Sequence, residues 1–291
     1  MTRRHVPGSC RGVVKTWGHV PGSCRGVVAL ALSGCGGGLP LLHPAHTLSR
    51  GEVRAGAGFS ANAATGGLST AVRDATNEAR RTASPGEAPP GTDATYAKGA
   101  IVVASVAPGL ATIVGARVGV GAQSEGGLTY TGRSIRADLR RSFYLSPSWA
   151  LSFGAGGSAA LYGHQEGTAL PNVDLSRLHG WGMDIPMIVG YRSESDLYMV
   201  WFGTRGGWEH LDVSEVSSVP GGVTFGSRPI SLSVTRFWAG ALLGLAVGFR
   251  HVHVAMEFDV SYASVTGDYN DTHVTVGGLT LAPAAALWWR F

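Results

Sequence analysis

Few residues of this chain have a type and spacing that could do chemistry. Asn270-Asp271-Thr272-His273 sets a carboxylate two positions ahead of an imidazole, where Asp271 would orient His273 as a general base for water. A solvated loop is the alternative for this element. His251-Val252-His253 puts two imidazoles on one face of an extended strand, which suits a metal, but no third ligand accompanies them. They read as a polar pair beside a turn, and no metal is expected. The sequence has no Ser-His-Asp order, no GxSxG elbow and no phosphate-binding loop. All three cysteines, Cys10, Cys24 and Cys35, lie within the first 35 residues. A chain trimmed there has no thiol catalysis and no cysteine-type zinc site. The expectation is a protein without catalytic residues or cofactor.

The cysteines belong to a leader. Residues 5–14 and 19–28 repeat one decapeptide, HVPGSCRGVV, which is a single tandem copy and not a repeat fold. Basic residues, the short apolar run Val27-Val28-Ala29-Leu30-Ala31-Leu32 and then small residues make a secretory signal over residues 1–34. It is too short to cross a bilayer. Leu32-Ser33-Gly34-Cys35 resembles a bacterial lipobox. The resemblance implies that Cys35 is acylated and heads the mature chain, and that Gly36 behind it directs the protein to the outer membrane. An ordinary signal cut nearby, with Cys35 incidental, is the alternative. Residues 35–50 then read as a linker ahead of one domain, 51–291.

Only 14% of the 291 residues are charged, while 44 are glycine; a soluble domain carries about 25% charge and about 7% glycine. The chain is too apolar for disorder and too rich in glycine for a soluble helical enzyme. Its basic balance comes from the leader, where Arg3, Arg4, Arg11, Lys15 and Arg25 precede every acid. Taking these five from 23 leaves 18 basic residues against 19 acidic ones, a net of −1. Nucleic acid is therefore not an expected partner.

Beyond residue 51 the dominant pattern is alternation, which builds strands with two unlike faces. Val252, Val254, Met256, Phe258, Val260 and Tyr262 share one face, and His253, Ala255, Glu257, Asp259 and Ser261 the other. Leu279, Leu281, Pro283, Ala285, Leu287, Trp289 and Phe291 alternate in the same way with smaller residues. The pattern predicts about ten strands, within 8–12, at 51–61, 97–107, 109–122, 128–145, 148–162, 183–192, 196–209, 230–249, 252–265 and 273–291. The uncharged window 99–116 has Pro108-Gly109 at its middle and many Val and Ile residues, which favours two strands over one helix. Tight turns at 108–109, 145–147, 194–195 and 250–251 alternate with mostly longer gaps. The longest gap, 62–96, holds a helix-like stretch, Ser69–Arg81, with Ser69 as N-cap; mobility is the default for it.

The strand charges Glu52, Arg54, Arg117, Arg136, Asp138, Arg140, Asp184, Glu257, Asp259 and Arg290 all fall on the small or polar face. An Arg or Lys facing lipid at mid-depth costs about 2–4 kcal/mol, so the sorting has a cause if the bulky faces meet lipid and the small faces a lumen. Two places resist. Arg141 falls in the apolar register, which requires a bulge or a rim position, and Leu197–Phe202 is apolar on both faces. The expected fold class is all-β, a transmembrane antiparallel up-and-down barrel. The final Leu287-Trp288-Trp289-Arg290-Phe291 resembles the terminal signal by which outer-membrane barrels are recognised for assembly, carried by Leu287, Trp289 and Phe291. Pattern and terminus together resemble the small outer-membrane barrels of the OmpA, OmpX and OmpW type. That resemblance implies a bacterial outer membrane, with its lipid and the barrel-assembly machinery as partners.

About ten strands enclose a narrow lumen, in which those arginines and carboxylates would pair. The leading expectation is a non-enzymatic barrel, structural or contacting ligands and surfaces through its outer loops. Inward glycine and alanine leave room for a narrow channel for small or apolar solutes, the second reading. A rim hydrolase is the third. The omptin proteases are ten-strand barrels with an Asp-x-His element, which the chain resembles at Asp271 and His273, although their paired Asp-x-Asp is absent here. A lipid-anchored soluble β-sandwich is the last alternative.

Overall fold

The computed structural model describes residues 40–81, 94–161, 170, 175, 177–216 and 230–291. Its strands are β1 (Val53–Ala64), β2 (Gly109–Gly121), β3 (Ser124–Tyr130), β4 (Ser134–Tyr144), β5 (Trp149–Ala160), β6 (His179–Arg192), β7 (Tyr198–Val216), β8 (Ile230–Phe249), β9 (Val252–Tyr269) and β10 (Thr272–Arg290). Each pairs antiparallel with its sequence neighbours, and β10 returns to β1, so the ten strands form a closed up-and-down barrel. Closure leaves no unpaired edge. It also removes the β-sandwich alternative.

The alternation decides which way each side chain points. Phe59, Leu139, Ile185, Phe237, Leu243, Val254, Met256 and Leu287 are exposed on the outer wall, while Arg54, Arg117, Arg136, Arg140, Asp184, Glu257 and Asp259 are buried within. Aromatic rings gather in two outer belts. Near the tight turns stand Tyr144, Trp149, Tyr198, Phe249, Trp289 and Phe291, and nearer the other rim Trp181, Phe237 and Tyr262. On β6, Trp181 and Tyr191 are ten positions apart. At about 3.3 Å per residue and a tilt of about 40° that separates the belts by about 25 Å. Arg141 is at a rim position, opposite the first residue of β3, with its guanidinium 5.5 Å from the Phe143 ring. On β7, Met199 and Trp201 turn inward, and Tyr198 and Phe202 outward.

Two strand assignments change. Residues 97–107 are not a strand. The chain after β1 forms helices α1 (Gly67–Arg81) and α2 (Ala94–Val106), and only then enters β2 at Gly109. The Val and Ile residues of α2 tolerate a helix because Tyr96, Ala97 and every residue of 99–106 are buried; a helix apolar on all sides is a core helix. Among the described residues no helix is long and apolar enough to cross a membrane. The second change is at 128–145, which is two strands, β3 and β4, parted at 131–133. β3 starts behind a two-residue turn, Ala122-Gln123, with φ of 50° and 58° and no Asn-Gly signature to announce it. One strand is lost and one gained, so the number stays at ten.

α1 begins before Ser69, whose hydroxyl donates to the Gly66 carbonyl at 3.0 Å instead of capping the helix. Leu68, Ala71 and Ala75 of α1 pack with α2 on Leu211, Val213, Leu232, Val234, Val265, Tyr269, Val274 and Val276, the inward face of β7–β10. Those four strands run 18 to 20 residues against 7 to 14 for the rest and make a tall wall for the helices. The described part of the longest gap is therefore packed. Tight connections join β2–β3, β4–β5, β6–β7 and β8–β9 at one rim. The other rim carries long gaps but also two short ones, at 131–133 and 270–271.

Candidate functional site: the lumen and its seals

The inward charges form one network around three carboxylates. Glu125, fully buried, takes Arg117 Nε at 2.5 Å and Arg140 Nη2 at 2.8 Å, with Arg54 Nη2 at 3.7 Å. Asp138 bridges Arg117 and Arg136. Asp184 takes Arg136 Nε at 2.8 Å and Arg205 Nε at 2.9 Å. The expected residues Glu52 and Arg290 pair with each other at 2.6 Å, but at the tight-turn rim, where Arg290 also holds Asp196. Glu257 accepts from the backbone amides of Leu41 and Leu42 and from the Trp201 indole at 2.9 Å. Asp259 is buried beside Arg205 and Arg236 around a cavity of about 30 Å³. Sequence reasoning missed Glu125, Arg205, Arg236 and Glu209, the last two paired at 2.9 Å. For Glu125 the available signal was its alternation with Leu128, which a turn assigned to 123–127 hid.

The inward glycines do not leave a bore. Trp201 lies opposite Gly244, Trp288 opposite Gly56 and Trp238 opposite Gly207, each as direct register partners. A Cβ on Gly56 or Gly207 would stand 2.7 Å from the facing indole, and one on Gly244 would overlap it. The guanidinium groups of Arg117 and Arg136 cross Gly127 and Gly156 in the same manner. Glycine on one strand thus admits a ring or a guanidinium from the next. Arg54 and Arg205 lie 4.6 Å and 4.9 Å from the Trp288 and Trp238 rings, which adds cation–π attraction to the packing. At these described positions the room beside each glycine is taken by a facing side chain.

A segment of the chain seals the tight-turn side. Residues 40–50, read as a linker from sequence, run inside the lumen. The amides of Leu41 and Leu42 donate to Glu257 Oε1 and Oε2 at 2.6 and 2.9 Å. Two successive amides converge on one carboxylate because Leu42 adopts φ 50°, a left-handed conformation that costs a leucine about 1–2 kcal/mol. Arg140 donates to the carbonyls of Pro44 and His46, Ser142 to that of Ala45, and Leu48 N donates to Glu125 at 2.8 Å. At the other end α2 stops over the network. Arg133 and Arg236 donate to the carbonyls of Ala104 and Ser105 at 2.9 and 3.0 Å, and Asn62 to that of Val106, closing the negative end of the helix. Between the seals lie cavities of about 30 and 40 Å³, enough for a water or a few.

The histidines singled out from sequence part company. His273 Nδ1 is 2.6 Å from Asp268, its partner across the hairpin, and both are exposed. His253 is fully buried with Nε2 3.1 Å from the Asp196 carbonyl, whereas His251 is exposed at the turn. Another histidine forms a relay on the outer wall above Trp208: Thr235 Oγ1 lies 3.1 Å from His210 Nδ1, and His210 Nε2 3.0 Å from Asp212. Among the described residues no metal-holding group of three occurs. Leu287, Trp289 and Phe291 all face outward at the tight-turn rim. Residues 1–34, expected to be a signal peptide, Cys35 and the Pro-rich stretch 84–90 lie outside the described residues.

No family model matches the sequence, and no curated protein does. Among solved structures, the chain is similar to Neisserial surface protein A, at 12% identity and a TM-score of 0.35, over 82% of this chain and 96% of that one. It is also similar to the outer membrane protease OmpT from Escherichia coli (10%, 0.34, 85% and 100%) and to a Pseudomonas aeruginosa FadL homologue (8%, 0.24, 84% and 90%).

Proposed function

We propose that this chain is an integral bacterial outer-membrane β-barrel whose lumen is closed by its own segments. It acts as a structural element or by contacting ligands and surfaces from its outer loops, not as a conduit. One observation carries the reading: bulky apolar side chains clothe the outside between two aromatic belts while the ionised groups are paired within. That arrangement is stable where the outside meets hydrocarbon. Leu287, Trp289 and Phe291, turned outward at the last strand, support recognition by the assembly machinery. Planar-bilayer recording of the refolded protein at pH 7.5 should give no conductance steps, because among the described residues Pro40–Arg50 and α2 occupy the two ends of the lumen. Regular steps of unit size would replace this reading with the channel.

A second reading, a hydrolase at the rim, draws on the Thr235–His210–Asp212 relay in place of Asp271 and His273. The order hydroxyl, imidazole, carboxylate is that of an activated nucleophile. It ranks second because His210 and Asp212 are about a third exposed on a strand surface that forms no water-excluding cleft. A fluorophosphonate probe should leave Thr235 unlabelled by mass spectrometry. Labelling that His210→Ala abolishes would bring the hydrolase forward.

A further inference from the structure

The segment Pro40–Arg50 is held by directional polar contacts yet carries two imidazoles that none of those contacts uses. His43 is fully buried and His46 nearly so, and neither ring nitrogen of either residue has a hydrogen-bond partner. Around His43 stand Arg54 of β1, Arg117 of β2, and Arg136 and Arg140 of β4. Around His46 stand Arg140 and Arg192, with Asp196 of the β6–β7 turn the one opposing charge; its ring packs 5.7 Å from Tyr144. The carboxylates near the segment, Glu125 of β3 and Glu257 of β9, are engaged by arginines, backbone amides and Trp201. A proton on His43 would add a cation among four guanidinium groups, and one on His46 would find only Asp196, which Arg290 already holds.

We propose that Pro40–Arg50 is an acid-released plug, with His43 and His46 as its trigger and Glu257 as its receptor. At neutral pH both rings are uncharged and the segment stays docked. In acid the histidines charge, the arginines repel them, and the strained Leu42 turn lets go of Glu257. Release exposes Glu257, Arg140 and Glu125 at the tight-turn mouth. The inference goes beyond the sealed-barrel reading and needs only the docked segment, so conductance at neutral pH would end that reading without touching this one.

The sign follows from where the protons bind. Burial, and then the arginines nearby, hold the imidazoles down, His43 well below its ordinary value and His46 at about 4. Between about 4 and the ordinary 6.5 the released segment therefore binds more protons than the docked one, and docking weakens as pH falls through that window. Each histidine on its own lowers the docking constant by up to about tenfold per pH unit in mid-window.

Hydrogen exchange of the peptide covering 40–50, in the refolded full chain and corrected for intrinsic rates, reads this directly. Protection is expected at pH 7.5 and lost with a midpoint between 4 and 6.5, while the β7–β10 peptides stay protected. The double variant His43→Asn, His46→Asn should keep the segment protected across the window. Unchanged wild-type protection down to pH 4 would overturn the proposal, as would a variant that releases at the wild-type pH. If the variant fails to dock even at pH 7.5, the wild-type curve decides: a midpoint below 4 ends the histidine trigger, and a midpoint inside the window supports it.

Discussion

Replacing Glu125 with glutamine should cost the folded barrel about 3–5 kcal/mol, the range for breaking a buried ion pair from one side. Glu125 is completely buried and is the shared counter-ion of Arg54, Arg117 and Arg140. Glutamine keeps the size and an acceptor for Leu48 N, so the loss would be of charge and not of shape. Arg117 would fall back on Asp138, but among the ion pairs found here Arg54 and Arg140 have no second carboxylate. Denaturant titration of folding into phosphatidylcholine vesicles measures the change. A loss under about 1 kcal/mol, the value of an exposed pair, would mean that the interior is wet and the network loose.

Ile185→Arg should cost about 2–4 kcal/mol in the same assay, and Leu145→Arg about 0–1. Both side chains are exposed, at 63% and 66%, so accessibility alone would give them the same tolerance. They differ in depth. Ile185 is on β6 midway between the aromatic belts, where in the proposed outer-membrane setting an arginine would have no water, and Leu145 is in the tight turn after β4, which that setting puts at the bilayer surface. Equal and small effects would show that the outer wall meets water, and the membrane reading would fall with them.

The faces of the strands were legible in the sequence because period two survives any error of register. Val252–Tyr262 and Leu279–Phe291 point as their alternation says, and the total of ten strands agrees because the strand expected at 97–107 is lost and the one at 128–145 divides in two. The contents of the lumen were not legible, because they depend on which residue of one strand stands opposite which residue of the next. Inward glycine and alanine read as room for a solute, but the partner of Gly244 is Trp201. Glu125 was lost in a supposed turn because Ala122-Gln123 bends the chain without glycine or asparagine at the bend itself. Residues 94–106 misled for another reason. Their Val and Ile residues favour a strand locally, but the apolar inner wall of β7–β10 offers a helix a place to bury every side at once. Residues 40–50 have no periodicity, and partners far along the chain, Glu125, Arg140, Ser142 and Glu257, give them a conformation.

The pairing of each inward indole with a glycine across the ladder also dictates the order in which this interior can evolve. A larger residue at Gly244 has nowhere to go while Trp201 stands opposite, so that door opens only after the tryptophan has been trimmed. Trimming it first leaves a pit in the wall that later growth at Gly244 can fill. Lineages should therefore pass from ring-and-glycine to two middling residues by one route and seldom the reverse. Anyone wishing to bore a pore through this protein would have to take the same path at Trp201, Trp238 and Trp288 together.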